Sequence, residues 1–247
     1  MKLRADYHSH TTYSDGKGSM EDNVRAAIAS GLKTFAITDH GFGHGFFGIK
    51  RRKLSKMRAE IEELKKKYPQ IRLLFGVEAN IRGSSGRLDL TRKEMELFDI
   101  VLAGYHFGSL PGSLEDLTTH LFNFLFKFFG VCKEIARRKN TRGILLAMQR
   151  YPFSILTHPG DKGPVDLRAI ARAAKRHGIA MEINERHKHL TVEELKELED
   201  LKLNYIASSD AHRPENIARI PGVLERIREA GVPISRIANL EEDEHEH

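Results

Sequence analysis

Short apolar runs rich in β-branched residues alternate with longer segments of helical periodicity, and this order constrains the fold more than any other feature of the chain. Apolar residues recur on one helical face over Leu54–Tyr68, and Pro69 then ends the segment. Strands that alternate with helices are typical of βα units around a parallel sheet, so the pattern predicts an α/β fold. Seven strands are predicted: Leu3–Tyr7, Thr34–Thr38, Arg72–Val77, Ile100–Ala103, Ser154–Thr157, Ala180–Ile183 and Tyr205–Ala207.

No linker rich in Pro, Gly or Ser interrupts the alternation, so we predict one domain over residues 1–240 and an acidic tail over 241–247. One βα connection, residues 107–151, is far longer than usual and predicts an inserted helical pair. Five of the thirteen phenylalanines lie in Phe122–Phe129 of this insertion. A helix packed on the barrel, a substrate lid and an oligomer interface are the alternatives, and a membrane-surface helix is least favoured.

The composition limits the partners and the compartment. Forty Lys and Arg against 34 Asp and Glu give a formal charge of +6, which favours anionic partners weakly. The single cysteine, Cys132, excludes an internal disulfide and a thiolate zinc cluster. The opening MKLRADYHSH lacks a secretory apolar core, and no stretch of about 18 uninterrupted apolar residues occurs. We therefore expect a cytoplasmic protein with no membrane association.

Residue types that bind metals follow the predicted strands one after another. The segments are DYHSH, FAITDH, FGVEAN, VLAGYHF, ILTHPG and IASSDAH. In a closed parallel barrel the carboxyl ends of all strands converge on one rim, so these side chains would meet although they are far apart in sequence. The candidate ligands are His8, His10, Asp15, His40, Glu78, His106, His158, Asp210 and His212.

The spacing of several candidates suits metal binding. The two-residue period of a strand turns His8 and His10 to the same side, and Asp210 repeats this i, i+2 arrangement with His212. Glu78 ends an apolar run, where burial of an unpaired carboxylate would cost several kcal/mol, so a cation is expected beside it. Strand alternation turns Asp39 away from its neighbour, and we interpret it as a hydrogen-bond partner of an imidazole ligand.

Nine candidate ligands are too many for one ion, because a single zinc takes three or four protein ligands. Six imidazoles and three carboxylates without thiolate suit two or three divalent ions of Zn, Mn or Fe. The sequence does not decide which of these metals is bound.

The motifs HSHTTYSDG, ITDHG, GVEANI, AGYHF, THPG and SSDAH, in this order and over nearly the whole chain, resemble those of the PHP (polymerase and histidinol phosphatase) family. GVEANI and the EIN of Glu182–Asn184 further resemble its stand-alone bacterial and archaeal phosphatase branch. The resemblance implies a distorted (β/α)7 TIM-like barrel with a trinuclear metal site at the carboxyl-terminal rim of the strands. It also implies phosphoesterase activity, and its motif positions are the same nine residues.

The resemblance further implies how the ligands are shared. Glu78 would bridge metals and, with Asp210 and His212, carry catalysis by a metal-bridged hydroxide that attacks phosphorus. The implied groups are His8, His10 and Asp210 on one metal, Asp15, His40 and His212 on a second, and His106 and His158 on a third. Arg213, Lys162 and Arg186 follow motifs at the same rim and are candidate phosphate-binding residues.

These features predict a hydrolase of phosphate esters, with a phosphomonoester phosphatase acting on a small phosphorylated metabolite as the favoured function. A histidinol-phosphatase-like activity is one form of it. A 3'-5' exonuclease or phosphodiesterase on nucleic acid or nucleotides, and a metal-binding PHP module without turnover, remain the alternatives. An amidohydrolase-type barrel is disfavoured, because the chain lacks that group's bridging lysine on a middle strand. Nothing in the sequence names the phosphoester.

Overall fold

The computed structural model describes residues 1–242, and its centre is a sheet of seven parallel strands. Each strand of this sheet pairs with the next one along the chain, from Ala5–Asp6 to Tyr205–Ser208, and helices cover the connections. The strands are β1 (Lys2–Leu3), β2 (Ala5–Asp6), β3 (Thr34–Ile37), β4 (Arg72–Asn80), β5 (Ile100–Gly104), β6 (Ile155–Leu156), β7 (Ala180–Asn184), β8 (Tyr205–Ser208) and β9 (Leu240–Glu241).

The helices begin and end at local signals that the sequence contains. Ser19 and Thr91 form capping boxes with the acidic residues three positions later, and Gly178 and Gly231 end two helices in the left-handed conformation. The α-helices are α1 (Met20–Ala29), α2 (Leu54–Lys67), α3 (Arg92–Met95), α4 (Leu114–Phe129), α5 (Lys133–Arg150), α6 (Leu167–His177), α7 (Val192–Glu197) and α8 (Pro221–Ala230).

The sheet curls into a nearly closed barrel, which confirms the predicted fold. A parallel bridge between Ser9 and Ala211 joins the segments that follow β2 and β8, so the first and last barrel strands meet at their carboxyl ends. Strand residues such as Phe35 and Phe75 are fully buried in one continuous apolar core. Many of the buried polar side chains gather outside this core, at the carboxyl-terminal rim of the strands.

Five of the seven predicted strands match the observed ones within one residue at each end, and two differ by more. The predicted strand Leu3–Tyr7 is divided, because β1 leaves the barrel and pairs antiparallel with β9, with Lys2 opposite Glu241. The fourth strand continues to Asn80, so that Glu78 lies inside β4 rather than after it. The predicted acidic tail begins within β9, and residues 243–247 of it lie outside the described residues.

The long connection contains the predicted helical pair, α4 and α5, packed against each other. Its phenylalanines are not buried against the barrel, since Phe124, Phe128 and Phe129 are 48%, 62% and 65% exposed. Among residues 1–242, none of the helices combines the length and the apolar character that crossing a membrane requires.

Candidate metal centre

All nine candidate ligands lie together at the carboxyl-terminal rim of the barrel. They come from six of its seven strands or from the segments that directly follow them, and most of them are buried. Three sets have donor atoms that all lie within 4.8 Å of one another. The sets are His10, Asp15, His40 and His212; His8, His10 and Asp210; and His40, Glu78 and His106.

The Glu78 carboxylate stands between two groups of imidazoles. Its Oε1 atom lies 3.0 Å from Nε2 of His158 and 3.2 Å from Nε2 of His106. Its Oε2 atom faces the other way, 3.0 Å from Nδ1 of His40 and 3.4 Å from Nε2 of His8. One carboxylate thus presents an oxygen to each group, which is the arrangement needed to bridge two cations.

Asp210 lies beside the histidine pair that follows β2. Its Oδ1 atom is 3.3 Å from Nε2 of His10 and 3.7 Å from Nε2 of His8, and the two Nε2 atoms are 3.2 Å apart. The backbone of Asp210 has φ of 49°, and that of His158 has φ of 28°. Non-glycine residues rarely adopt this left-handed region, and such strain is typical of functional sites.

Asp15 and His212 close the outer side of the cluster. Oδ2 of Asp15 lies 3.1 Å from Nε2 of His212 and 3.6 Å from Nε2 of His40, and its Oδ1 lies 3.6 Å from Nδ1 of His10. The side chains of Asp15 and His212 are 18% and 15% exposed. This part of the cluster therefore faces the solvent-accessible cavity.

Three buried atoms of the cluster have no hydrogen-bond partner among the described residues: Nδ1 of His40, Oε2 of Glu78 and Oδ1 of Asp210. Leaving such atoms unpaired costs free energy unless a cation or water satisfies them. All three point into the sets described above, and imidazole with carboxylate is a donor combination that transition metals accept. The residues therefore fit the metal ions that the fold implies.

Burial and neighbouring charges set different protonation states within the cluster. Despite burial, Asp15 and Glu78 raise the pKa of His40 to about 10, whereas other ligands are held in the forms that bind metal. Burial lowers the pKa of His10 and the pKa of His106 to about 3, which keeps both imidazoles neutral. Burial alone would raise the pKa of the Glu78 carboxyl, but the charge of the nearby His8 and the hydrogen bond from His158 hold it well below its usual value. Neutral imidazole and ionised carboxylate are the forms that bind cations.

Glu182, in the middle of β7, supports the cluster from behind. Its Oε1 accepts a hydrogen bond from Nδ1 of His8 at 2.6 Å, and its Oε2 accepts one from the backbone N–H of His158 at 2.8 Å. Ser208 also donates to this carboxylate. Glu182 thereby fixes which nitrogen of His8 faces the cavity. An acid within the apolar run AMEIN is the same signal that marks Glu78, and it could have indicated this role.

We expect Glu182→Gln to weaken metal affinity by about ten- to a hundredfold, because the amide is a poorer acceptor for His8. Zinc titration against a chromophoric chelator measures the effect. Glu229→Gln is the matched control, since Glu229 is exposed near the end of α8 and belongs to none of the three sets. Equal affinities in both variants and the parent would contradict this role.

The predicted hydrogen bond between Asp39 and an imidazole is wrong. The carboxylate accepts from the backbone N–H and the hydroxyl of Thr11, both at 2.7 Å, and from the hydroxyl of Ser14. Alternation along the chain does turn Asp39 away from His40, but on that side it meets the loop before α1. Asp39 therefore holds the segment that carries Asp15.

A cavity of about 400 Å³ opens above the cluster. Lys162 and Arg186, two of the predicted phosphate-binding residues, line it. The third, Arg213, lines a neighbouring groove instead, where it is 3.6 Å from Glu215. The groove and the cavity share Arg186, Asp210 and His212, so all three cations lie near the metal-ligand candidates, and Lys162 and Arg186 line the cavity itself.

Several residues at this cavity were not identified from the sequence. The ring of His44 stacks on the ring of His40, with the two ring centroids 4.7 Å apart. Nδ1 of His187 lies 3.1 Å from Oδ2 of Asp161, and its Nε2 lies 3.4 Å from Oδ2 of Asp210. Phe46 and Phe47 line the mouth, where they are 82% and 46% exposed. These residues lie in loops, and only the folded barrel shows that the loops converge.

The structure is a nearly closed parallel barrel with histidines and carboxylates gathered at the carboxyl ends of its strands. These features place it in a class of metal-binding barrel proteins. The PHP domain matches residues 6–190 of the chain, which is most of its length. The chain therefore belongs to the PHP domain family.

Relatives of the chain agree with this assignment. A protein of Shewanella sediminis (strain HAW-EB3) named as a probable phosphatase is 29% identical over 254 residues, covering 97% of this chain and 90% of that protein. The structure of histidinol phosphate phosphatase from Lactococcus lactis, complexed with zinc, L-histidinol and phosphate, superposes with a TM-score of 0.63 and 20% identity over 92% of both chains.

A second structural match covers almost all of both chains. YwqE from Bacillus subtilis and CpsB from Streptococcus pneumoniae are described as metal-dependent tyrosine phosphatases. The match has a TM-score of 0.53 and 16% identity, and it covers 96% of this chain and 97% of the matched one. At these identities the structural matches establish the shared fold.

Proposed function

We propose that this protein is a metal-dependent phosphomonoester phosphatase that hydrolyses a small phosphorylated metabolite. The observation that carries the proposal is the position of Glu78, with one oxygen toward His106 and His158 and the other toward His40 and His8. Such a carboxylate suits a centre of two or three divalent ions beneath a cavity of about 400 Å³. A cavity of this size suits a metabolite better than a polymer.

In this proposal the three sets of donor residues would hold the ions, with His10 and His40 each belonging to two sets and the second oxygen of Glu78 facing His8 and His40. The bound ions, of Zn, Mn or Fe, supply Lewis-acid activation of water and neutralise charge on the phosphoryl group. Asp210 and His212, at the end of β8, act with Glu78 at the reacting centre. Glu182 and Asn80 fix the rings of His8 and His106 through their Nδ1 atoms.

The residues of the cavity wall would bind the phosphate oxygens that the metals leave free. Lys162 is held by Asp161, and Arg186 reaches across to the ring of His212. Both cations stand beside the cluster without entering it, as charge-assisted contacts to a phosphate require. No protein nucleophile is needed, because water is the attacking group.

The family supports this function. The Shewanella relative is named as a probable phosphatase, and the structural neighbours include phosphatases of histidinol phosphate and of tyrosine phosphate. Histidinol phosphate is therefore one substrate to test, and the low identity of that neighbour gives it no preference over other phosphomonoesters.

The decisive experiment is to assay metal-reconstituted protein on a panel of phosphomonoesters, phosphodiesters and short oligonucleotides. The proposal expects turnover of phosphomonoesters well above that of the other classes. Preferential cleavage of diesters or oligonucleotides would replace it with the phosphodiesterase or exonuclease alternative. Full metal binding without turnover of any class would indicate a binding module.

One observation favours the nucleotide alternative as the second candidate. Phe46 and Phe47 are exposed at the mouth of the cavity that Lys162 and Arg186 line. Exposed aromatic rings beside cations are typical of sites on which nucleobases stack. Comparing nucleoside monophosphates with glycerol phosphate in the panel tests whether a base contributes to recognition.

We expect Lys162→Ala and Arg186→Ala each to raise KM for a phosphomonoester by about tenfold, the effect of one lost charge-assisted contact of about 1.4 kcal/mol. Arg213→Ala should raise it less, because Arg213 faces the neighbouring groove. Steady-state kinetics together with inhibition by inorganic phosphate measures both effects. An Arg213 variant more impaired than the other two would contradict this assignment.

A further inference from the structure

The helix α4 has its polar side buried and its apolar side exposed. Asp116, which is fully buried, accepts hydrogen bonds from the backbone N–H and the hydroxyl of Ser85, each at 3.0 Å. Asn123 exchanges two amide hydrogen bonds with Asn140 of α5, at 2.7 and 2.8 Å. Turning α4 about its axis would break these buried bonds. The orientation of the helix is therefore fixed with its apolar face outward.

The outward face carries five large apolar side chains with alternating spacings of three and four residues. We call this set the α4 seam: Leu114, Leu117, Leu121, Phe124 and Phe128, which are 81%, 52%, 51%, 48% and 62% exposed. This spacing is the pattern by which two helices pack side by side along a narrow apolar stripe. No polar residue interrupts it.

The apolar surface continues beyond the seam. Of the thirteen large hydrophobic residues that are exposed within residues 1–242, nine lie between Leu110 and Ile135. Monomeric proteins rarely expose so large a continuous patch, and a larger one marks an interaction site. A stable interface buries about 800 Å² on each partner, so side chains beyond the seam would have to take part in it.

We propose that the α4 seam packs antiparallel against the α4 seam of a second copy of the chain, forming a two-fold symmetric dimer. Four of the five seam residues are self-complementary in this arrangement, and Leu114 lies opposite position 131, beyond the end of α4 of the second copy. A two-fold axis between positions 122 and 123 sets Leu117 opposite Phe128 and Leu121 opposite Phe124 of the second copy. Each layer then pairs one leucine with one phenylalanine, so the layers have similar volumes.

The charges at the two ends of α4 also suit antiparallel packing. Glu115 lies in its first turn, and Lys127 lies in its last turn with Lys133 just beyond. Antiparallel copies bring the acidic end of one helix to the basic end of the other, and their helix dipoles oppose each other favourably. A lipid surface suits the helix less well. Interfacial helices carry many Lys and Arg residues on their polar side, whereas Lys127 is the only one within α4.

Two charge substitutions test both the dimer and its register. In the wild-type protein, light scattering at about 50 μM should give twice the mass of the chain. Leu121→Glu and Phe124→Lys should each weaken dimerisation by at least about a hundredfold, because each buries two unpaired charges. Mixing the two variants should restore a dimer. In one layer of the mixed dimer the introduced carboxylate of one variant faces the introduced ammonium of the other. The other layer keeps the wild-type pair of Leu121 and Phe124.

Leu97→Glu is the matched control, because Leu97 is 49% exposed but lies outside α4. It should leave the dimer intact. The seam does not line the cavity, so the monomeric variants should keep phosphatase activity within about twofold. A loss of the dimer can therefore be distinguished from a loss of the proposed function. A monomeric wild-type protein overturns the proposal, whether or not it binds anionic vesicles. A Leu121→Glu variant that remains dimeric, or a mixture that stays monomeric, overturns the seam or its register.

Discussion

Replacing Glu78 with glutamine is expected to lower phosphoester hydrolysis by about a thousandfold or more, equivalent to about 4 kcal/mol of the activation barrier. Glutamine keeps the volume of the side chain but removes its charge. Both oxygens of Glu78 face imidazoles of the cluster, and Oε2 has no hydrogen-bond partner in residues 1–242. A neutral amide at this position would hold cations poorly on both sides.

The fold should survive this substitution. Glu78 is fully buried, and its charged neighbours in the described residues are histidines rather than Lys or Arg, so the change leaves no permanent charge unpaired. In metal-free protein the variant should still melt cooperatively but at a lower temperature than the parent, because the pKa of Glu78 lies well below its usual value and its charge therefore stabilises the fold at neutral pH. The gain in melting temperature on adding metal should be lost. Bound metal, melting temperature and turnover are measured together, with the exposed Glu96→Gln as control. Near-normal turnover with full metal content would refute the bridging role.

The second large effect expected is that of metal on stability. Eight of the nine candidate ligands form three overlapping sets, and the centre should hold between two and three equivalents of Zn or Mn after gentle purification. Ligand at a hundred times its Kd stabilises a folded protein by about 2.7 kcal/mol per site, which shifts the melting temperature of a chain this long by at least about 5 °C. Removing the metal with a chelator should reverse the shift.

Elemental analysis and calorimetry with and without added metal check this expectation. His10→Ala removes a residue that belongs to two of the three sets. His177→Ala is its control, because His177 lies at the end of α6 and belongs to none of the sets. The first variant should lose both bound metal and the thermal shift, and His177→Ala should lose neither. One equivalent or less, unchanged by adding Zn or Mn, would contradict a centre of several ions.

The candidate site was predictable to an unusual degree because its signals are local. A histidine two residues after another in extended chain projects to the same side, as His8 and His10 do, and the carboxyl ends of parallel strands share one rim. The strand pattern alone therefore implied that Glu78, from β4, and Asp210, after β8, would meet. The structure brings both of them together with His8.

Residues that act through a neighbour were harder to find. Asp39 bonds the loop that carries Thr11 rather than an imidazole, and Glu182 supports His8 from across the barrel. Both outcomes depend on which loop passes each carboxylate. Loop paths follow from packing between segments far apart in the chain, which local periodicity does not encode.

The sequence by itself determined the α/β alternation, the seven parallel strands, the inserted helical pair and the identity of the residues at the strand ends. These follow from periods of two and about three and a half residues, and from turn and capping signals, all of which act within a few positions. Only the tertiary structure decided that β1 pairs with β9 outside the barrel, that Lys162 and Arg186 share the cavity, and that α4 turns its phenylalanines outward. The orientation of α4 rests on buried polar contacts of Asp116 with Ser85 and of Asn123 with Asn140. Contacts between residues this far apart exist only once the chain has packed, so no local pattern could specify which face of the helix remains exposed.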